Sequence, residues 1–372
     1  MTEPTARQTE IHAAYQKHGS YAAAGRALGI TRQAVTDGLR VFHEKTGVSI
    51  VLPDGVPSKV STLYNSDGEV SAQWVQEKPA DKEKLTAWKT IISDLTEGIP
   101  PAPTIPAPKR TAMGSDLLVG YPIGDHHLGM LAWGKETGGD SWDIKIAEKA
   151  LQQSTDYLVD RAPVSDHALV AFLGDFMHYD SFEPKTPTAG NILDADGRFP
   201  KMVSAALRSM RRTIEGAASK HKSVRVIIEI GNHDLSSSIF LQQALRMFYE
   251  DNPRITIDAS PAHYHYFEFG QNLIGTHHGH GPKMPALPGI MATDQPTAWG
   301  RTKYRVWWTG HIHHTQIHEF PGATVESFRV LAPKDAWHHQ RGYRSAREMK
   351  AIVFAREHGE VSRLTVNPEV FS

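Results

Sequence analysis

The sequence predicts an α/β protein with a small all-α unit at its N-terminus. From residue 115 onward, short apolar runs alternate with longer amphipathic stretches, the pattern of strands in a central sheet joined by helical crossovers. Residues 1–50 show only the apolar spacing of short helices. Because 372 residues are many for one domain, we expect a larger domain with a small accessory one.

The composition limits the chemistry that the protein can use. Cysteine is absent, which excludes disulfides, a thiolate nucleophile and a cysteine-type zinc site, whereas 21 histidines are unusually many. The formal net charge is -1, so any basic patch must be local. The N-terminus is polar, and no apolar run approaches the roughly 20 residues of a membrane span. We therefore expect a soluble, cytoplasmic protein without a membrane partner.

Three short helices are predicted in residues 1–50. Gly29 ends the second helix, because glycine enters the left-handed C-cap conformation without steric cost, and Thr31 caps the third. Small residues followed by a Gly-Ile-Thr turn suit a helix-turn-helix, whose helices cross closely. The residues expected to face inward are Ile11, Ala14, Tyr15, Ala22, Ala23, Ala24, Leu28, Val35, Leu39 and Phe42.

The segment GSYAAAGRALGITRQAVTDGLR resembles the DNA-binding units of phage and bacterial regulators. In such a unit the third helix lies in the major groove. The residues that it would present to DNA are Arg32, Gln33, Thr36 and Arg40. A three-helix module that contacts another protein is the alternative.

Residues 51–110 connect the two regions. Residues 61–64 and 70–74 flank an Asn-Ser-Asp-Gly turn, which predicts a β-hairpin. Residues 82–95 predict one helix, and five prolines within residues 98–108 predict a stiff, extended tether. The predicted organisation is a helix-turn-helix at 1–50, this connector at 51–110 and a catalytic domain at 111–372.

Five apolar runs predict the strands of the larger domain, at residues 117–123, 168–173, 224–230, 273–276 and 304–309. Helices are predicted at residues 143–161, 200–220 and 238–250. Directly after each strand comes a segment of metal-binding residue types; these segments are DHH, GD, GNHD, HHGH and GHIH. Because ligands bind beyond the carboxyl ends of strands in open α/β sheets, we expect the five segments to meet at one site.

The residue types in these segments suit two divalent metal ions. Two cations roughly 3.5–4 Å apart acidify a water and clamp phosphate oxygens, as hydrolysis of a phosphate ester at neutral pH requires. Close cations need a shared anionic ligand, and we assign that bridge to Asp175. Asp125 and His127 suit the first ion, and Asn232 suits the second. Two further histidines, on the same side of an extended chain and able to reach one ion each, are His311 and His313.

The order D-x-H, GD, GNHD, H, GHxH resembles the calcineurin-like metallophosphoesterase superfamily over residues 115–320. The resemblance implies a four-layer αββα sandwich with a dinuclear site. It implies that the first ion takes Asp125, His127, Asp175 and His313, and that the second takes Asp175, Asn232, His278 and His311. It also implies that His233, outside the metal shell, protonates the leaving oxygen and that Asp234 orients His233.

Within this superfamily the motifs look like the nuclease branch related to SbcD-type DNA-repair exonucleases. The second motif reads GDFMH and lacks the aspartate-arginine-glycine continuation of Ser/Thr protein phosphatases. Nothing in the sequence looks like the capping domain or the ATPase-binding segment of the nuclease family. A helix-turn-helix before the catalytic domain is instead similar to uncharacterised phage-encoded phosphoesterases, which implies action in the host cytoplasm.

Basic residues near the motifs are predicted to contact substrate. Arg198 and Lys201 follow a DADG loop at a helix start, where a phosphate can bind. Arg341 lies near Trp337 and Tyr343, a mixture suited to a nucleotide backbone and base. A solvated charged loop explains each basic group equally well.

The remaining histidines are divided between substrate contacts and exposed neighbours of the ligands. His278 is taken as the ligand of the fourth motif because it precedes the glycine. His178 and His280 are candidates for contact with substrate. The histidines expected to be only exposed neighbours are His126, His263, His265 and His314.

The sequence thus predicts a phosphodiesterase with two divalent metal ions, and a DNA nuclease in particular. Manganese is the expected activator, since mixed carboxylate, amide and imidazole ligands suit it, and iron or zinc fits the same ligands. One alternative is a small-molecule or cyclic-nucleotide phosphodiesterase. Another is a DNA-binding regulator with a non-catalytic phosphoesterase domain, although a scaffold has no physical reason to bury so many polar groups.

Overall fold

The computed structural model describes residues 4–18, 21–46, 59–64, 70–76, 104–108 and 114–371. The chain divides into two compact units, Met1–Thr90 and Ile91–Ser372. The predicted helix at 82–95 and most of the proline-rich tether lie outside the described residues. The predicted domain boundaries therefore stay predictions.

The N-terminal unit contains the three predicted helices, α1 (Ala6–His18), α2 (Tyr21–Leu28) and α3 (Arg32–Thr46). Gly29 has a φ of +64°, and the Thr31 hydroxyl accepts from the Ala34 amide at 3.1 Å, so the turn and cap form as predicted. The buried core consists of predicted inward residues, namely Ile11, Ala24, Val35 and Leu39. Strands β1 (Lys59–Tyr64) and β2 (Val70–Gln76) pair antiparallel, as the hairpin pattern predicts.

The larger unit is built on two mixed sheets. The first has the order β13-β12-β3-β4-β5-β6, in which β3 to β6 are parallel and β12 and β13 are antiparallel to their neighbours. Its strands are β3 (Leu117–Ile123), β4 (His167–Phe172), β5 (Ser223–Ile228), β6 (Ile255–Ile257), β12 (Met349–Ala355) and β13 (Gly359–Val366). Strands such as β4 are almost entirely apolar because both faces of a parallel sheet are covered.

The second sheet has the order β10-β11-β9-β8-β7. Its strands are β7 (His265–Phe269), β8 (Asn272–His277), β9 (Tyr304–Thr309), β10 (Gln316–Phe320) and β11 (Ala323–Ser327). All five predicted strands are present. The strand pattern alone predicted one central sheet, which is wrong, whereas the two sheets with flanking helices agree with the sandwich that the family resemblance implies. Strands β3, β4 and β5 lie in the first sheet and β8 and β9 in the second, because strand pattern does not specify which strands pair.

Helices cover the outer faces of both sheets and so make four layers. On the first sheet lie α5 (Ile144–Arg161), α6 (Phe199–Lys220) and α7 (Leu235–Phe248). On the second lie α8 (Leu287–Asp294) and α9 (Pro296–Arg301), which pack on Leu273, Trp307 and Val325. Two short helices, α4 (Gly134–Thr137) and α10 (Ala336–Arg341), contact each other. The three predicted helices match α5, α6 and α7 to within a few residues.

The inner faces of the two sheets form one apolar core. Leu118, Leu169 and Ile227 of the first sheet pack with Ile274 and Trp308 of the second. The Trp308 ring fills the space above Gly120, where an added Cβ would lie 2.3 Å from Cη2 of the tryptophan. No helix among the described residues is both long and apolar enough to cross a membrane.

Candidate metal centre

Each predicted metal-binding segment occupies the loop after the carboxyl end of a strand. Asp125 and His127 follow β3, Asp175 follows β4 and Asn232 follows β5. The remaining ligands, from the second sheet after β8 and β9, are His278, His311 and His313. Because the two sheets face each other, their strand ends bring residues 188 positions apart in the chain into contact, as Asp125 and His313 show.

The predicted ligands of the first ion converge on one another. Atoms of Asp125, His127 and His313 all lie within 4.8 Å of each other. His313 Nε2 is 3.0 Å from Asp125 Oδ2 and 3.1 Å from His127 Nε2. Two imidazole nitrogens and a carboxylate oxygen therefore point at one another, the arrangement that a metal ion requires of its ligands.

The predicted ligands of the second ion form a neighbouring group. Asp175, His278 and His311 offer atoms within 4.8 Å of each other. Nε2 of His278 lies 3.3 Å from Asp175 Oδ2 and 3.0 Å from Asn232 Oδ1. Each group consists of residues predicted for one ion, and a third set of converging atoms comes from His127, His178 and His233. Asp125 and Asp175 are fully or almost fully buried.

The hydrogen bonds of His278 indicate what the second group accommodates. Its Nδ1 is 2.8 Å from the Leu173 carbonyl, an acceptor, so Nδ1 carries a proton. Nε2 faces two further oxygens, Asp175 Oδ2 and Asn232 Oδ1, which are also acceptors. These contacts are favourable when Nε2 carries a proton, or when a metal ion takes the place of that proton, so the second group favours positive charge at this point.

The pKa values show the same requirement for positive charge. Burial lowers the pKa of His278, but the charges of Asp175 and Asp125 outweigh burial and raise the pKa to about 10. Burial raises the pKa of Asp175, yet the charge of His278 brings it below its usual range. Burial, then the charge of His313, holds the pKa of His127 well below 6.5, so this imidazole is neutral and able to bind a metal.

The backbone at the ligands is strained. Among the described residues, the non-glycine residues with positive φ are His127 (46°), Asp175 (48°), His311 (69°) and His313 (57°). All four are predicted ligands. Non-glycine residues in the left-handed region persist only where the surroundings hold them there, and such strain clusters at functional sites. This conformation is therefore an indication of function that is independent of the side-chain distances.

Close packing explains the glycines that begin the motifs. An added Cβ at Gly231 would lie 2.1 Å from both N and Oδ1 of Asp175, and one at Gly310 would lie 2.3 Å from Asp125 Oδ1. An added Cβ at Gly174 would lie 2.6 Å from His278 Nδ1. The carboxylates and the imidazole can take these positions only because the neighbouring residues have no side chain.

Asp234 has a different role from the predicted one. Its buried carboxylate accepts from the backbone amides of Asp175 at 3.2 Å, Met177 at 3.0 Å and Gly231 at 3.2 Å. Burial and the charge of Asp175 raise the pKa of Asp234 to about 7. Asp234 therefore joins the loops after β4 and β5, and the prediction that it orients the ring of His233 is corrected.

The ring of His233 is instead oriented by the backbone of His178. Nδ1 of His233 is 2.8 Å from the His178 carbonyl, and the two rings stack at 5.6 Å. The His233 ring also lies 5.0 Å from that of His127, and its backbone amide donates to Asp175 Oδ1 at 2.7 Å. His233 is thus fixed beside both ligand groups, with Nε2 directed away from the carbonyl.

Several other histidines differ from the sequence expectation. His178 was expected to contact substrate, but it is 3% exposed and its Nδ1 lies 3.2 Å from that of His127, so it supports a ligand. His126 and His265 were expected to be exposed, yet both are buried. His265 pairs with Glu229 at 2.9 Å, whereas burial lowers the pKa of His126 to about 3. His280 does lie beside the ligands, with its ring 5.2 Å from that of His278.

A cleft of about 370 Å³ opens beside the first ligand group. Its wall includes the ligands His127, His311 and His313. The opposite side comes from the segment around α10 and includes Lys334, Trp337, His338 and Tyr343. The sequence indicated this mixture of basic and aromatic residues. It missed Asp335, which caps α10 and holds Nδ1 of His338 at 2.7 Å; the available signal was an aspartate three residues before a histidine.

The other predicted contact residues lie elsewhere. Arg198 precedes α6, and Lys201 on α6 pairs with Asp196 at 3.8 Å; neither belongs to the lining of this cleft. The guanidinium of Arg341 lies 5.6 Å above the Trp337 ring at the cleft wall. The predicted DNA contacts all lie on α3, where Gln33 and Thr36 are exposed; these residues are Arg32, Gln33, Thr36 and Arg40.

Comparisons with known proteins find distant structural likeness alone. No protein-family model matches the chain, and no curated protein does. A predicted phosphoesterase from Streptococcus pneumoniae is 11% identical with a TM-score of 0.28, over 67% of this chain and 98% of the other. Vps29 of Entamoeba histolytica complexed with Zn²⁺ is 12% identical with a TM-score of 0.26, over 67% and 99%. Phosphopantetheinyl hydrolase from Mycobacterium tuberculosis is 10% identical with a TM-score of 0.27, over 61% and 93%. Likeness at these identities and TM-scores carries no argument about the site. The description of the site therefore rests on the distances and hydrogen bonds within this protein.

Proposed function

We propose that this protein is a metal-dependent phosphoesterase of the calcineurin-like metallophosphoesterase type. The observation that carries the proposal is the convergence of carboxylate, amide and imidazole groups from five strand-end loops, with a positive φ at four of these residues. Asp125, His127, Asp175 and His313 would hold the first ion. Asp175, Asn232, His278 and His311 would hold the second. The mixed carboxylate, amide and imidazole donors fit manganese, and also iron or zinc.

Two such ions supply an activated water nucleophile and a clamp for phosphate oxygens. The chain's own residues prepare the site for this chemistry. Asp175 would provide the negative charge that the two ions share, and Asp234 accepts a hydrogen bond from the Asp175 backbone amide. The Leu173 carbonyl fixes the tautomer of His278, so that Nε2 is the atom available to a metal.

His233 is the proposed proton donor to the leaving oxygen. Its Nδ1 is held by the carbonyl of His178, which leaves Nε2 to give or take a proton. The ring lies 5.0 Å from that of His127, and the His233 backbone amide donates to Asp175; neither proposed set of metal-holding residues includes His233. This position corresponds to the role that the sequence resemblance implies.

We further propose a phosphodiester of DNA as the substrate, which makes the enzyme a nuclease. The cleft wall supports this choice through Lys334 and the aromatic rings of Trp337 and Tyr343. The resemblance of residues 1–50 to phage and bacterial DNA-binding units, with polar residues on α3, supports it independently. The leading alternative is a phosphodiesterase of small molecules or cyclic nucleotides.

The metal centre is tested with Asp175→Asn and the matched surface variant Asp251→Asn. The amide removes the charge that two cations share, so we expect bound metal and hydrolysis of bis(p-nitrophenyl) phosphate to fall by more than about 100-fold, beyond the 10- to 100-fold loss typical of outer-shell changes. Asp251 is exposed, and its variant should match the wild type. Elemental analysis and initial rates are the measurements, and full metal content in Asp175→Asn would refute the site.

The substrate is tested with a panel of single- and double-stranded DNA, cyclic nucleotides and bis(p-nitrophenyl) phosphate. A nuclease cleaves DNA in a manganese-dependent reaction that Asp175→Asn abolishes. Turnover of cyclic nucleotides without DNA cleavage would replace the nuclease with the small-molecule alternative. Absence of any turnover by a metal-loaded protein would favour a non-catalytic DNA-binding regulator.

A further inference from the structure

We propose that Trp337 and Tyr343 form a stacking platform for an unpaired nucleobase next to the scissile phosphodiester. The inference deepens the proposed function and rests on it. It limits the substrate to nucleotides or to nucleic acid with an unpaired base at the site of cleavage, such as a single strand or a frayed end.

The two rings form an exposed aromatic surface in the cleft. Their centroids are 5.8 Å apart with an interplanar angle of 17°, so they are stacked. Trp337 is nevertheless 52% exposed and Tyr343 51% exposed. Large aromatic side chains are seldom left this open, and an exposed pair at a concave surface marks a binding site.

The local structure holds the platform in place. The Asp335 side chain caps α10 by accepting from the His338 amide at 2.8 Å. Gly342 then ends the helix with a φ of +83°, and the Tyr343 amide donates back to the His338 carbonyl at 3.0 Å. This turn places the Tyr343 ring against the Trp337 ring. A surface that is ordered before binding loses little entropy when a ligand stacks on it.

The platform is adjacent to the first ligand group. The His338 ring stacks on that of His313 at 5.3 Å, and Trp337 lies edge-on to His338 at 5.0 Å. A phosphodiester at the ligands therefore places its neighbouring base at the aromatic pair. Nδ1 of His338 lies 2.7 Å from Asp335 Oδ1, and this contact orients the ring that connects the ligands to the platform.

The charges around the rings favour a nucleotide over an uncharged aromatic ligand. Arg341 lies above the Trp337 ring, and Lys334 belongs to the same cleft wall. Sites for single-stranded nucleic acid usually combine cationic and aromatic side chains, because the cations contact phosphates and the aromatic rings stack on base faces. In a duplex both faces of each internal base are covered, so only an unpaired base can stack here.

The experiment compares two diesters that share a chromogenic leaving group. One is thymidine 5′-(p-nitrophenyl phosphate) and the other is methyl p-nitrophenyl phosphate, which has no base. The measured quantity is the ratio of kcat/KM for the first to kcat/KM for the second, in wild type, Trp337→Ala, Trp337→Phe and Trp133→Ala. Trp133 is the matched control, since it is 61% exposed and lies outside the cleft lining.

We expect Trp337→Ala to lower this ratio by roughly 5- to 150-fold, the range of one lost base stack. Trp337→Phe should recover most of the ratio, and Trp133→Ala should leave it unchanged. An unchanged ratio in Trp337→Ala, which includes an equal loss of kcat/KM for both diesters, would contradict the platform but not the proposed phosphoesterase activity.

A binding measurement separates this inference from the proposed function. Calorimetric titration with thymidine 5′-monophosphate and with inorganic phosphate requires no turnover. Weaker nucleotide binding in Trp337→Ala with equal phosphate binding supports the platform even in a protein that hydrolyses neither diester. Equal affinity of the wild type and Trp337→Ala for thymidine 5′-monophosphate would contradict the platform.

Discussion

Four residues of the metal centre have a backbone conformation that their side chains disfavour. Each left-handed non-glycine residue costs on the order of 1–3 kcal/mol, so His127, Asp175, His311 and His313 together make the site an unfavourable part of the fold. The cost is offset by buried contacts such as those of Asp234 with three backbone amides. The conformation of the predicted metal ligands therefore depends on residues such as Asp234 that are not themselves predicted ligands.

A histidine remote from the metal centre makes stability depend on pH. Burial lowers the pKa of His221 to about 3, and its two ring nitrogens contact the hydroxyls of Tyr121 and Ser165, each at 2.7 Å. In the unfolded chain this group takes up a proton below its ordinary pKa of about 6.5. The unfolded state then binds more protons, so stability is present above pH 6.5 and is lost as the pH falls toward 3.

The variant His221→Gln isolates this contribution. Losing buried hydrogen bonds should lower the free energy of unfolding by about 1–3 kcal/mol at pH 7. Between pH 6 and 4 the wild type should lose up to about 1.4 kcal/mol per pH unit more than the variant. Urea unfolding at several pH values measures both effects. Parallel pH profiles for the two proteins would contradict the assignment.

At the scale of elements, backbone hydrogen bonds join the loops that follow the strands to one another. Leu128, after β3, forms a bridge with Met177, after β4, and the Leu128 amide donates to the Phe176 carbonyl at 2.9 Å. Across the two sheets, the His311 amide donates to Asp125 Oδ1 at 2.9 Å. The site is therefore positioned by the packing of one sheet against the other.

The contact between the sheets is tested by Gly120→Ala. The added methyl group would overlap the rigid Trp308 ring, so the sheets must separate locally, and we expect a loss of about 1–3 kcal/mol in unfolding free energy. The control is Gly289→Ala in α8, where an added Cβ has nothing within 4 Å. It should stabilise the helix by about 0.5–1 kcal/mol. Equal urea midpoints for the two variants would show that the packing is looser than described.

At the scale of the whole molecule, the proposal joins a catalytic unit to an N-terminal unit for which we propose DNA binding. Deleting residues 1–50 should weaken DNA binding and flatten its dependence on salt, since fewer phosphates are neutralised. Hydrolysis of bis(p-nitrophenyl) phosphate should be spared because all predicted ligands lie beyond residue 120. Binding titrations at several salt concentrations are the measurement.

The full-length double variant Arg32→Ala with Arg40→Ala is the companion to the deletion. Each lost phosphate contact should reduce the slope of log affinity against log salt by about 1. Unchanged DNA affinity in the deletion and in the double variant would contradict the helix-turn-helix assignment and favour the alternative, a module that contacts another protein.

Local sequence pattern determined much of the molecule. Strand β9 has the predicted bounds, and α5 and α6 begin within one residue of the predicted positions, because apolar period and capping act over neighbouring residues. The convergence of the motif carboxylates and imidazoles was also predictable, since the carboxyl ends of strands in an α/β fold are where such groups meet. The role of His178 was not, because its burial depends on residues distant in the sequence.

The tertiary structure alone decided how these parts assemble. It divided the strands between two sheets, since pairing depends on contacts such as Trp308 over Gly120 that no local pattern encodes. In the folded chain the Asp234 carboxylate accepts from backbone amides, and the His178 carbonyl orients the His233 ring. These partners could not be read from the sequence because they depend on which groups the fold brings within hydrogen-bond distance. It also placed Trp337 and Tyr343 beside His313, across a cleft that exists only when the chain is folded.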